Sequence, residues 1–229
     1  YEIKRNMLVA LSENFTHQQA PVFSPDARVV AFVVDNNIYL KKLDYNTEIA
    51  VTTDGKINEV INGVPDWVYE EEFTTNNSMT WSPDNMTLCF IKYNEKSVKD
   101  YTMQLYKGTC NPKRQYEFYP GEFKYKYPVA GEVNSVVSVH SYDVETRKIK
   151  KVALPDDRIE YIPRIAYGHD ATRLIVTTLN REQNRMEIYA ANPKSTVVKS
   201  IYVEESDSWI APETYETIKY YPDYFILNS

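Results

Sequence analysis

Glycine is scarce in this chain, six in 229 residues, and that scarcity excludes several chemistries at once. No glycine-rich loop is available to cradle a phosphate, and no Gly-x-Ser-x-Gly elbow presents a nucleophilic serine. Histidine is rarer still: His17 in a polar loop, His140 in a strand-like run and His169 in a turn. No two of these stand at metal-ligand spacing and no Cys-x-x-Cys occurs, so the sequence predicts neither a metal centre nor a cofactor. The two cysteines, Cys89 in an apolar run and Cys110 in a polar one, make no disulfide framework, and bonded and free states both fit. No stretch of 18 apolar residues exists to span a membrane, and no signal peptide is visible. The chain opens at Tyr1 without Met, inside a strand-like pattern over residues 1–11, which is compatible with a leader removed or never included. It carries no recognisable reaction centre.

What is abundant is tyrosine, 20 residues, in a chain that is 43% hydrophobic. Aromatic and β-branched residues favour strands, so many short strands are expected. Aromatics interleaved with Lys113, Arg114, Lys124 and Lys126 could bind nucleic acid, but acids intervene and the net charge is −6, so no nucleic-acid partner is expected. Residues 96–134 read instead as an extended hairpin that packs on a partner.

A unit repeats along the chain. Ser24-Pro25-Asp26 precedes the apolar run at 29–34, Asp35-Asn36-Asn37 gives a hairpin signal, and 38–43 and 47–53 complete four short strands. Ser82-Pro83-Asp84, Gly168-His169-Asp170 and Pro222-Asp223 mark further copies. Proline fixes the turn and Asp is placed to bond the local backbone. Four strands per unit at a period of about 40–50 residues is the signature of propeller blades, and the enlarged intervals mark the functional face of such a scaffold. Three further stretches, Asn14-Phe15-Thr16, Asn76-Asn77-Ser78 and Asn85-Met86-Thr87, match the glycosylation acceptor pattern, which also arises by chance.

The first enlarged interval holds Gly63-Val64-Pro65-Asp66-Trp67-Val68-Tyr69-Glu70-Glu71-Glu72-Phe73. Three adjacent carboxylates repel one another, and aromatic flanks predict that part of the run lies against a wall where ionisation is harder. On a helical turn neighbouring side chains diverge by about 100°, so adjacent glutamates can converge on one cation, and Asp66 suits the N-cap of such a turn. The alternating acids and Gly turn of a calcium loop are absent. A solvated acidic turn and a cation site both remain open on local chemistry.

This stretch resembles the Asp-Trp-Val-Tyr-Glu-Glu-Glu motif of the dipeptidyl peptidase IV family. Tyr127-Pro128-Val129-Ala130-Gly131-Glu132-Val133-Asn134 is similar to that family's Tyr-Pro-x-Ala-Gly-x-x-Asn segment. The resemblance implies an all-β fold, a β-propeller with four-stranded antiparallel blades, present as about half of an eight-bladed ring. It places the end of one blade, three whole blades near 20–78, 79–155 and 160–205, and the start of another within 1–229. It implies that Glu71 and Glu72 bind the free α-ammonium of a peptide substrate. The Ser-Asp-His triad would lie on an α/β-hydrolase domain absent from this chain, so the chain is expected to be part of a larger protein. The family's substrate-positioning Arg precedes its motif, and Arg5 and Arg28 do not match that segment. By the same resemblance the parent releases Xaa-Pro and Xaa-Ala dipeptides, forms a homodimer through the arm at 96–134, and is exported. The competing class is a non-catalytic propeller scaffold with the acidic run as a docking patch.

Overall fold

The computed structural model describes residues 1–106, 116, 118–155 and 157–211, with the backbone of 219–220 and 225–226. The first sheet runs β1 (Gln19–Phe23), β2 (Val29–Val34), β3 (Asn37–Lys42) and β4 (Thr47–Ala50), paired antiparallel in chain order. Asp35 and Asn36 both take positive φ, which joins β2 to β3 by a tight turn whose twist matches the strands. After β5 (Val60–Asn62) and the short helix α1 (Trp67–Glu71), the second sheet uses β6 (Met79–Trp81) and β7 (Thr87–Asn94). A separate hairpin, β8 (Asp100–Leu105) with β9 (Gly121–Lys126), interrupts it before β10 (Val136–Asp143) and β11 (Ile149–Lys151) complete it. β5 also pairs with β7, which joins the stretch before α1 to the second sheet. The third sheet is β12 (Tyr161–Tyr167), β13 (Leu174–Leu179), β14 (Arg185–Ala191) and β15 (Val198–Glu205), and β16 (Lys219–Tyr220) pairs with β17 (Phe225–Ile226) beyond it.

Burial explains why the second strand of each sheet is a near-continuous apolar run. β2, β7 and β13 are covered on both faces, whereas β11 is exposed and β15 nearly so. Such a gradient across each sheet, and its repetition, fits blades stacked face to face around a ring that remains open here. Polar contacts tie successive sheets: the Trp81 indole N–H donates to the Val22 carbonyl at 3.3 Å, and the Asp26 amide donates to Asn85 Oδ1 at 2.9 Å. Ser141 Oγ donates to the Pro193 carbonyl between the second and third sheets.

The repeat turns are built as their sequence suggests. Ser24 Oγ donates to Asp26, whose carboxylate accepts the Arg28 amide, and Ser82, Asp84 and Met86 repeat the arrangement. Asp170 accepts from the amide and hydroxyl of Thr172. These bonds hold the Asp26, Asp84 and Asp170 carboxyls below the usual range. Residues 1–11 differ from expectation: they form turns around an isolated Glu2–Met7 bridge rather than a strand. Ile3, Leu8 and Val9 are exposed there, so no sheet among the described residues rewards extension. Cys89 is a buried free thiol, 3.3 Å from the Tyr167 hydroxyl, and burial pushes it up to about 12. Cys110, Lys113, Arg114 and most of the expected copy around Asp223 lie outside the described residues.

Candidate ammonium site

The acidic stretch folds into α1, and the reason is local. Asp66, extended at φ −80° and ψ −179°, caps the helix by accepting the Tyr69 amide at 3.1 Å. Five residues are too few to hold a helix unaided, so tertiary contacts must do it. Tyr69 and Phe73, one turn apart, are each 2% exposed and pack with Tyr93 and Tyr161, with centroid separations of 4.8 Å for Tyr69–Tyr93 and 5.4 Å for Phe73–Tyr161. The Tyr69 ring is further held at its polar tip. A bulge in β12 between Tyr161 and Arg164 frees the Ile162 amide from the ladder, and that N–H donates to the Tyr69 hydroxyl at 2.8 Å.

With the aromatic side inward, Glu70, Glu71 and Glu72 are exposed. This corrects the expectation that part of the run lies against a wall. The aromatic flanks are what the core absorbs, and the helical turn points the intervening acids the other way. Among the described residues, none of the three glutamates makes an ion pair. Glu72 lines a cleft of about 280 Å³ with Trp67, Phe73, Pro128, Gly131 and Arg181. A larger cavity, about 700 Å³, is lined by Lys92, His140 and Lys151 and includes none of the three acids.

The two motifs identified in the sequence are spatial neighbours. The Trp67 and Tyr127 rings meet edge to face at 4.2 Å. Ser135 Oγ donates to the other Asp66 oxygen at 2.6 Å, so one buried carboxylate caps the helix and ties it to the segment after Asn134. Burial raises the Asp66 carboxyl, opposed by the bonds from Ser135 and the Tyr69 amide. Asn134 donates to the Tyr161 hydroxyl at 2.9 Å and to Glu160 at 2.8 Å. Arg181 donates to Glu160 and, at 2.6 Å, to the Glu132 carbonyl, which fixes the 128–134 segment on the third sheet.

Sequence reasoning missed Ser135, Ile162, Arg164 and Arg181. Arg164 Nη2 donates to the Phe73 carbonyl at 2.8 Å, directly after the glutamates. Ser135 directly follows the second motif, while Ile162, Arg164 and Arg181 act from the third sheet and stand in no recognisable pattern. The Pro163-Arg164 pair inside an otherwise apolar strand is the one signal that could have pointed to a bulge.

Comparison with known proteins agrees with this frame. The family model for the dipeptidyl peptidase IV N-terminal region matches residues 1–229. A probable dipeptidyl-aminopeptidase B of Aspergillus niger is 36% identical over 210 residues, covering 86% of this chain and 23% of that protein. Its counterpart from Emericella nidulans is 32% identical over 215 residues, covering 89% and 23%. The crystal structure of Porphyromonas gingivalis dipeptidyl peptidase 4 is similar over 97% of this chain and 30% of that one, at 45% identity and a TM-score of 0.88. The chain thus spans about a quarter of the length of the curated relatives it matches. With a match over its whole length, an all-β architecture and both motifs meeting at one helix, the chain belongs to the dipeptidyl peptidase IV N-terminal-region family.

Proposed function

We propose that this chain is the substrate-admitting propeller portion of a serine dipeptidyl aminopeptidase, and that Glu71 and Glu72 bind the α-ammonium of the peptide. The observation that carries the reading is a short helix anchored at its cap, its buried ring and its carbonyl end while its acids stay exposed and, among the described residues, without ion pairs. Rigid backbone with uncommitted charge suits a group that must meet a cation from outside. An ammonium has three donors, and two adjacent carboxylates can accept them from two sides. Gripping the amino end fixes how many residues separate it from a reacting carbonyl, which accounts for release of dipeptides.

In this reading the parent carries a Ser-Asp-His triad on a following α/β-hydrolase domain and cleaves after Xaa-Pro or Xaa-Ala. The aromatic hairpin β8–β9, with Tyr101, Met103 and Phe123 exposed, would serve a homodimer contact. The location would be periplasmic, cell-surface or secreted. Replacing Glu71 or Glu72 by Ala in the full-length protein should lower kcat/KM for an Xaa-Pro chromogenic substrate by about 2–5 kcal/mol, about thirtyfold to several thousandfold. Unchanged cleavage by both variants would refute the assigned role. A full-length protein without peptidase activity would favour a scaffold instead.

A further inference from the structure

α1 is poorly suited to its own charges. The carbonyl end of a helix carries negative dipole, and Glu71 and the C-cap Glu72 add two negative charges there, with no basic residue in the last turn, whereas Glu70 falls in the first turn. The compensating cation comes from another sheet. Arg164, on β12, donates through Nη2 to the Phe73 carbonyl at 2.8 Å and through Nη1 to the Pro163 carbonyl at 2.9 Å. The guanidinium therefore joins the residue after Glu72 to the strand that carries the bulge. The same bulge supplies the Ile162 amide to Tyr69, so two residues at one strand irregularity grip the helix at its buried ring and at its acidic end.

We infer that Arg164 is a positioning residue for the glutamate pair: it fixes the backbone next to Glu72 and offsets the negative charge accumulated there. The inference rests on the ammonium-binding reading above. In this role Arg164 acts through the backbone beside Glu72 and not on the substrate itself. Its rigid fork reaches the two carbonyls through separate nitrogens, and a lysine keeps the charge without that fixed geometry. Partial rescue by Lys is therefore part of the expectation.

The test uses the full-length protein, an Xaa-Pro chromogenic substrate, and inhibition by the des-amino analogue of the same dipeptide, which lacks the ammonium. Arg164→Met should raise KM for the substrate about tenfold with kcat within about twofold, since misplacing a binding group by a fraction of an ångström is enough. Arg164→Lys should raise it about threefold, and neither should shift the inhibition constant of the des-amino analogue. An unchanged KM, or equal weakening of both compounds, overturns the inference. Glu72→Gln, measured alongside, separates the two levels. If it raises KM while Arg164→Met does not, the positioning role alone fails; if it too leaves KM unchanged, the ammonium reading fails. Should Arg164→Met not fold, the same comparison is read from Arg164→Lys, where a rise confined to the free-amino substrate supports the role and its absence overturns it.

Discussion

Replacing Asp66 probes the joint between the two motifs. Its carboxylate is 5% exposed and accepts two bonds, from the Tyr69 amide at 3.1 Å and from Ser135 Oγ at 2.6 Å. Asp66→Ala removes a helix cap, which is worth about 1 kcal/mol. It also leaves the buried Ser135 hydroxyl without its acceptor, a further loss of about 1–3 kcal/mol. Against this, the folded state is relieved of a carboxylate whose ionisation burial opposes. A net local destabilisation of about 2 kcal/mol at pH 7 follows, or about thirtyfold in the local opening equilibrium. Asp66→Asn keeps an acceptor for the cap and carries no charge, so it should stay within about 1 kcal/mol of the parent. The sign with pH is fixed by the direction of the shift. Because the Asp66 carboxyl is raised on folding, its contribution is fully present below the unfolded value and is lost as pH rises through the folded one. Asn should therefore gain on Asp between acid and neutral pH. Hydrogen exchange followed by mass spectrometry on peptides covering 66–73 and 134–136 reads both effects. Unchanged exchange in Asp66→Ala, or equal damage from Asn and Ala, would refute the reasoning.

Other perturbations are as specific. Glu95 is 6% exposed, and burial, with Asp66 nearby, pushes its carboxyl up to about 7 against a pull from Lys126. Its contribution therefore falls as pH rises from about 4.5 to about 7, and Glu95→Gln should stabilise the protein at pH 8 but not at pH 4.5. The ceiling is about 3 kcal/mol, and solvent screening reduces the expected gain to about 1–2 kcal/mol, measurable as a rise in Tm at the higher pH. His140 lies opposite in sign: burial lowers its imidazole to about 4, so stability should drop as pH falls from about 6.5 to 4, and His140→Gln should flatten that part of the profile. Tyr69→Phe keeps the ring contacts but strands the Ile162 amide, and exchange at that amide should speed up about fivefold to a hundredfold, the equivalent of about 1–3 kcal/mol.

Local chemistry was legible in the sequence wherever the partner atoms are neighbours in the chain. The Asp35-Asn36 turn, the Ser-Pro-Asp turns and the Asp66 cap each need only residues within a few positions, and each formed as read. The apolar runs of β2 and β7 likewise declared strands, and the structure adds that both faces of each are covered. What the sequence hid was set by distance. Nothing near Glu70 to Glu72 tells which side of the turn the core will take; that depends on Tyr93 arriving from β7 and Tyr161 from the third sheet. Residues 1–11 have strand-like composition but, among the described residues, no partner strand beyond the Glu2–Met7 bridge, and composition alone cannot supply one. Arg164 was invisible because its role arises from a bulge that becomes apparent once β12 is paired with β13.

The most direct measurement is a crystal structure of the full-length protein with an uncleaved Xaa-Pro peptide analogue bound. The account predicts the peptide nitrogen about 2.7–2.9 Å from carboxylate oxygens of both Glu71 and Glu72. A bound peptide whose amino end lies beyond hydrogen-bond reach of both, gripped by other residues, would contradict it.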